Sequence, residues 1–72
     1  MKIRYNREKD IILLELSSEP IDFAEEAGSL IIHFSKDEKP VVVEILDASE
    51  FLSTITKVTM KTKESEYVEA PI

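Results

Sequence analysis

Residues 28–49, GSLIIHFSKDEKPVVVEILDAS, read as a β-hairpin that runs straight into the start of a helix. Leu30, Ile32 and Phe34 alternate with Ile31, His33 and Ser35. Beyond a polar turn, Val41, Val43 and Ile45 alternate with Val42, Glu44 and Leu46. Period-two alternation of β-branched and aromatic residues marks a strand. Setting Phe34 opposite Val41 brings Ile32 to Val43 and Leu30 to Ile45, and one face becomes wholly apolar. A slip of one residue would put Glu44 opposite Ile32, so burial selects this register. The tip then falls at Asp37-Glu38. A two-residue turn there wants a residue tolerant of positive φ, and Glu is a poor one. The expected connection is a wider loop over Lys36 to Lys39. Pro40 has no N–H to donate and belongs at a non-bonded or edge position.

The opposite face of this hairpin carries Ile31, Val42 and Leu46 beside His33 and Glu44. It is too apolar for a fully wet face and too polar for a plain core. Such a face predicts partial cover, by the C-terminal segment or by another subunit.

The same grammar recurs upstream. Met1, Ile3 and Tyr5 alternate with Lys2, Arg4 and Asn6, and the polar run Asn6 to Asp10 reads as a loop. Ile12, Leu14 and Leu16 then alternate with Ile11, Leu13 and Glu15. Pairing Tyr5 with Ile12 and Ile3 with Leu14 aligns the apolar faces of strands 2–6 and 11–17. Ile11 and Leu13 leave the second face partly apolar here too. On this reading Ile12, Leu14, Ile32, Phe34, Val43 and Ile45 are largely buried.

Between the hairpins, Ser17 to Pro20 breaks the pattern. Ile21 to Ala24 form a short strand-like segment that Glu25 to Gly28 closes. Gly28, the one glycine in the chain, fits a turn or bulge with positive φ before Leu30. After Leu46, Asp47 can cap a helix with Glu50 three residues on. Phe51, Leu52, Ile55 and Val58 recur at helical spacing, which predicts a helix over about Ala48 to Lys57. Thr54, Ile55, Thr56, Val58 and Thr59 are all β-branched, so Thr56 to Lys63 reads equally as a strand. The acidic tail, residues 64–72, is expected to be disordered.

With 72 residues and no Cys, the chain makes one small domain without disulfide or thiolate–metal support. Good packing or oligomerisation must supply its stability. No apolar run approaches the ~20 residues of a membrane span, and MKIRYNREKD lacks the apolar stretch of a signal peptide. A cytoplasmic protein is expected. The net charge of -6 disfavours nucleic acid and suits a basic protein partner or simple solubility.

Candidate chemistry is sparse. His33, the one histidine, falls diagonal to Glu44 in the register above and on the face that Glu15 shares. Such a set could act as an acid–base pair or half a metal site. No H-x-x-H or D-x-D spacing supports a metal, so a hydrogen-bonded His at a sheet surface or interface is the plainer reading. No serine stands in a G-x-S-x-G setting, and one glycine cannot build a phosphate-cradling loop. Glu25 and Glu26 would alternate faces in a strand and do not form a catalytic pair. Lys57, Lys61 and Lys63 read as a solvated face.

Tyr5-Asn6-Arg7-Glu8-Lys9-Asp10, Leu14-Glu15-Leu16-Ser17, Glu25-Glu26, Gly28 and Glu44-Ile45-Leu46-Asp47-Ala48-Ser49 together resemble the small proteins grouped as domain of unknown function 2283, over roughly residues 1–52. EILDAS is the most specific part. The chain departs from the family's frequent Asp-Gly at the hairpin tip, where it has Asp37-Glu38, and from an acidic residue where it has His33. The second departure argues against a shared catalytic role for His33. The resemblance implies a β-meander plus helix, no established activity, an antitoxin-type binding role and no site residues.

The expectation is therefore an α+β fold, an antiparallel β-meander of four to five strands with one C-terminal helix packed on it. One domain spans residues 1–63. It should be a small acidic protein-interaction module, non-enzymatic and without cofactor or metal. A homodimer is expected through Ile11, Leu13, Ile31, Val42 and Leu46, with a basic protein as a further partner and neither nucleic acid nor membrane. The competing reading is a small metal-dependent or acid–base enzyme using His33 and Glu44.

Overall fold

Alternating apolar residues on short, polar-bounded segments produce five antiparallel strands in the computed structural model, which describes residues 1–61 and Tyr67. The strands are β1 (Lys2–Asn6), β2 (Ile11–Glu15), β3 (Phe23–Ala27), β4 (Leu30–Phe34) and β5 (Pro40–Leu46), followed by helix α1 (Ala48–Lys61). They form one sheet in the order β1-β2-β5-β4-β3. The hairpin β1-β2 and the meander β3-β4-β5 are joined where β2 pairs with β5.

The expected registers hold. Tyr5 pairs with Ile12 and Ile3 with Leu14; Leu30 pairs with Ile45 and Ile32 with Val43. One position differs. Phe34 pairs with Pro40 rather than Val41, because the register shifts after His33 and leaves Val41 as the extra residue of a bulge. Val41 is buried there, and its carbonyl accepts from the Leu16 N–H at 2.8 Å. A second correction concerns β3. Its strand is Phe23–Ala27 rather than residues 21–24, so Glu25 and Glu26 lie within it and face opposite sides. A tight turn at Gly28-Ser29 joins it to β4. Gly28 has φ +59, as the first central residue of a type II′ turn requires.

The β4–β5 loop is wide, as expected. The Ser35 N–H donates to Lys39 O at 2.8 Å and the Glu38 N–H to Ser35 O at 3.0 Å. The αL position is nevertheless occupied by Glu38, at φ 63. A side chain held there costs about 1–2 kcal/mol relative to glycine, part of which glycine returns as unfolded-chain entropy. Glu38→Gly is therefore expected to stabilise the protein by roughly 0.5–1 kcal/mol, read as a rise in melting temperature. An unchanged or lower value would show that the loop bears no strain at this residue.

The core is small. Ile12, Ile45 and Ala48 are buried together, with Leu14, Leu30, Val43 and Phe51 packed against them. Of the six residues expected to be largely buried, Ile12 and Ile45 are; Leu14, Ile32, Phe34 and Val43 are half-buried. Helix α1 joins the core cluster through Ala48 and Phe51, with Thr54 and Val58 half-buried further along it, whereas Leu52, Ile55 and Met60 stay exposed. At the far end of this face Phe23 stacks on Phe34, ring centroids 5.0 Å apart.

The helix runs to Lys61, beyond the expected Lys57, so the strand alternative for residues 56–61 is set aside. Residues 62 and 63, and the tail 64–72 apart from Tyr67, lie outside the described residues. Threonine hydroxyls donate back to carbonyls of the preceding turn: Thr54 to Glu50 at 3.1 Å, Thr56 to Leu52 at 2.9 Å and Thr59 to Ile55 at 3.1 Å. These bonds give a β-branched sequence a way to sit in a helix.

Candidate interaction face

Because paired residues of an antiparallel sheet share a face, the registers assemble the second face row by row. One row runs Arg4, Leu13, Glu44, Ile31, Glu26 from β1 to β3. The next runs Lys2, Glu15, Val42, His33, Ala24. A third starts Asn6, Ile11, Leu46 and ends beside Ser29, whose carbonyl accepts from the Leu46 N–H at 2.8 Å. The five aliphatic residues expected on this face, Ile11, Leu13, Ile31, Val42 and Leu46, thus surround Glu44 at its centre, all half-buried. The buried cluster that receives α1 is on the other side, around Ile12 and Ile45. Among the described residues no strand or helix lies over this second face.

Two polar pairs cross the aliphatic centre. His33 Nε2 and Glu44 Oε1 are 2.5 Å apart, with each side chain about a quarter exposed. Arg4 Nη2 donates to Glu15 Oε1 at 2.5 Å nearer the edge. His33 and Glu44 are diagonal neighbours, as the hairpin register requires, and Glu15 and His33 flank Val42. The pair lies flat on the sheet. An open depression lies elsewhere, between residues 19–22 and 35–37. Among the described residues no group of three His, Asp or Glu side chains is placed to hold a metal ion. His33→Gln, which keeps a hydrogen-bond donor for Glu44, is expected to change the melting temperature by less than about 3 °C. A larger drop, or a stoichiometric metal lost with the imidazole, would give His33 a role beyond this contact.

Sequence reasoning missed a third cluster. Asp47 immediately precedes α1 with φ 50, but the carboxylate that accepts from the helix N-terminus belongs to Asp10, which corrects the expected cap. Asp10 accepts from the Ser49 hydroxyl at 2.6 Å, from the Ser49 N–H at 3.1 Å and from the Tyr5 hydroxyl at 2.8 Å. Its carbonyl accepts from the Ala48 N–H at 3.0 Å. Asp10 itself sits at φ 54, a conformation Asp tolerates better than most residues. The hydrogen bonds from Ser49, and then from Tyr5, hold the Asp10 carboxyl below its ordinary range. The bond to Asp10, desolvation and the Asp10 charge push the Tyr5 phenol up. The one advance signal was the motif pair itself: Tyr5 to Asp10 and Glu44 to Ser49 are the two stretches that this node joins.

The family model described as "Protein of unknown function (DUF2283)" matches residues 2–49. No curated protein and no solved structure matches the chain. Among the described residues no helix is long and apolar enough to cross a membrane.

Proposed function

The chain belongs to the DUF2283 family, and on that premise we propose that it is a small acidic, non-enzymatic protein-interaction module that works as a homodimer in the cytoplasm. The observation that carries this reading is the second face, where Ile11, Leu13, Ile31, Val42 and Leu46 form one aliphatic patch with no described element over it. Monomers rarely leave a large contiguous apolar patch open. The net charge of -6 favours a basic protein as the further partner, which fits the antitoxin-type role. His33 and Glu44 sit side by side on the sheet among the aliphatic residues of the second face, and that setting favours the interaction reading over the acid–base one.

Sedimentation equilibrium of the full chain tests the reading. A species of twice the 8.2 kDa chain mass is expected at tens of micromolar. A folded 8.2 kDa monomer at that concentration would refute the homodimer.

A further inference from the structure

We propose that two copies pack second face to second face about a two-fold axis running along β5, with Arg4 of each copy set against the partner's Glu26. This deepens the homodimer reading and rests on it. The sheet is laid out evenly about its central strand: β2 and β1 lie on one side of β5, β4 and β3 on the other. A two-fold axis along β5 therefore places β2 over the partner's β4 and β1 over the partner's β3, while β5 meets itself.

The rows show what that operation brings together. Leu13 faces the partner's Ile31, and Val42 and Leu46 each face their own copies. Arg4 faces the partner's Glu26, and Glu15 faces the partner's His33. The one like-charge meeting is Glu44 on itself, and each Glu44 already contacts its own His33. The other face-to-face two-fold axis, running across the strands, does worse. It would set Arg4 on the partner's Arg4 and Glu26 on the partner's Glu26, and would bring Glu15 onto the partner's Ile11. Like charges brought together at an interface select against an arrangement, so the charge pattern chooses the first axis.

Size permits the contact. Five strands about 4.8 Å apart, each about five residues long at about 3.3 Å, present roughly 400 Å² of projected surface per copy. Two such faces, with side-chain relief added, approach the ~1,000 Å² that a specific interface needs.

The chain has no Cys, so single introduced thiols report the geometry cleanly. Lys2 and Ala24 are both exposed and end the same row on opposite edges. Packed sheets sit about 10 Å apart, within reach of a short bismaleimide. A mixture of Lys2→Cys and Ala24→Cys chains is expected to cross-link at least about tenfold faster than either variant alone, whose thiols would lie on opposite edges of the dimer. In parallel, Arg4→Glu and Glu26→Arg should each weaken the dimer at least about tenfold, and the double variant should recover. Recovery cannot come from the fold, because the Arg4–Glu15 pair is lost in the double variant as well. If the wild type dimerises but Lys2→Cys cross-links to itself, or the mixture gives no product, the axis is wrong while the homodimer stands. If the wild type is monomeric, both fall.

Discussion

Asp10→Ala is expected to lower the melting temperature by roughly 5–15 °C, the largest change among the single substitutions considered for stability. A helix N-terminus leaves its first N–H groups without partners inside the helix. In this protein two of them are met by one residue of the opposite hairpin: Ala48 N–H by the Asp10 carbonyl and Ser49 N–H by the Asp10 carboxylate. Alanine removes the carboxylate, leaves the exposed hydroxyls of Tyr5 and Ser49 to water, and places a residue of low αL tolerance at φ 54. The effect reaches the core, because Ala48, the buried helical residue of the cluster, is positioned by this end of the helix. Asp10→Asn separates the causes. It keeps the αL tolerance and most of the shape, so it should cost less than Ala and report on the charge.

The pH dependence follows from the directions of the two shifts. The Asp10 carboxyl is held below its ordinary 3.8. Its stabilisation is thus present above the unfolded-chain value and lost as pH falls through the lower folded value. The Tyr5 phenol is held above its ordinary 10.0. Its contribution is present below that value and lost as pH rises through the higher folded one. The difference in melting temperature between wild type and Asp10→Asn should therefore be widest near neutrality and close in acid. A difference that stays constant down to pH 2, or Asp10→Ala melting within about 2 °C of wild type, would remove this node from the account of stability.

What could be read in advance divides along sequence separation. Both hairpin registers were legible, because alternation and a local turn determine them; the His33–Glu44 contact followed from the second register alone. β3 was displaced by two residues because an edge strand exposed on both faces needs no apolar alternation, and Glu25-Glu26 hid it. The helix was read too short because propensity counts the β-branched threonines against it, whereas their hydroxyls find carbonyls in the preceding turn. The cap was assigned to the adjacent Asp47 because capping rules are local, while the true acceptor lies 39 residues from Ser49. The five residues of the second face were legible strand by strand. They were also read as one interface, and the pairing of β5 with both β2 and β4 is what brings the two hairpins' contributions onto one sheet. Not legible was the exposure of Leu52 and Ile55, which the helical spacing grouped with Phe51 and Val58 but which stay open while those two are half-buried.

Val42→Lys is expected to raise the dissociation constant of the homodimer by about a hundredfold or more while leaving the monomer folded. The side chain stands on the central strand, in the row between Glu15 and His33. In a monomer that position is open on the second face, so the lysine stem can lie along the neighbouring side chains of its row and its amine can reach water or the carboxylates of Glu15 and Glu44. Little is lost from the fold, because the buried cluster of Ile12, Ile45 and Ala48 is on the other side of the sheet. In a dimer that covers the face, each amine must instead be taken out of water beside its own copy, and that desolvation costs more than Glu15 and Glu44, already engaged by Arg4 and His33, return. Sedimentation equilibrium reads the dissociation and circular dichroism the fold. Should the lysine variant fail to fold, Val42→Thr supplies the second measurement, since threonine suits a strand and adds only one hydroxyl to the face. It should weaken the dimer by about tenfold, and its melting temperature should fall with dilution less steeply than that of wild type, because a weaker dimer contributes less to stability by mass action. Wild-type affinity in both variants would place the subunit contact on another surface, and the exposed Leu52 and Ile55 of α1 would be the next to test.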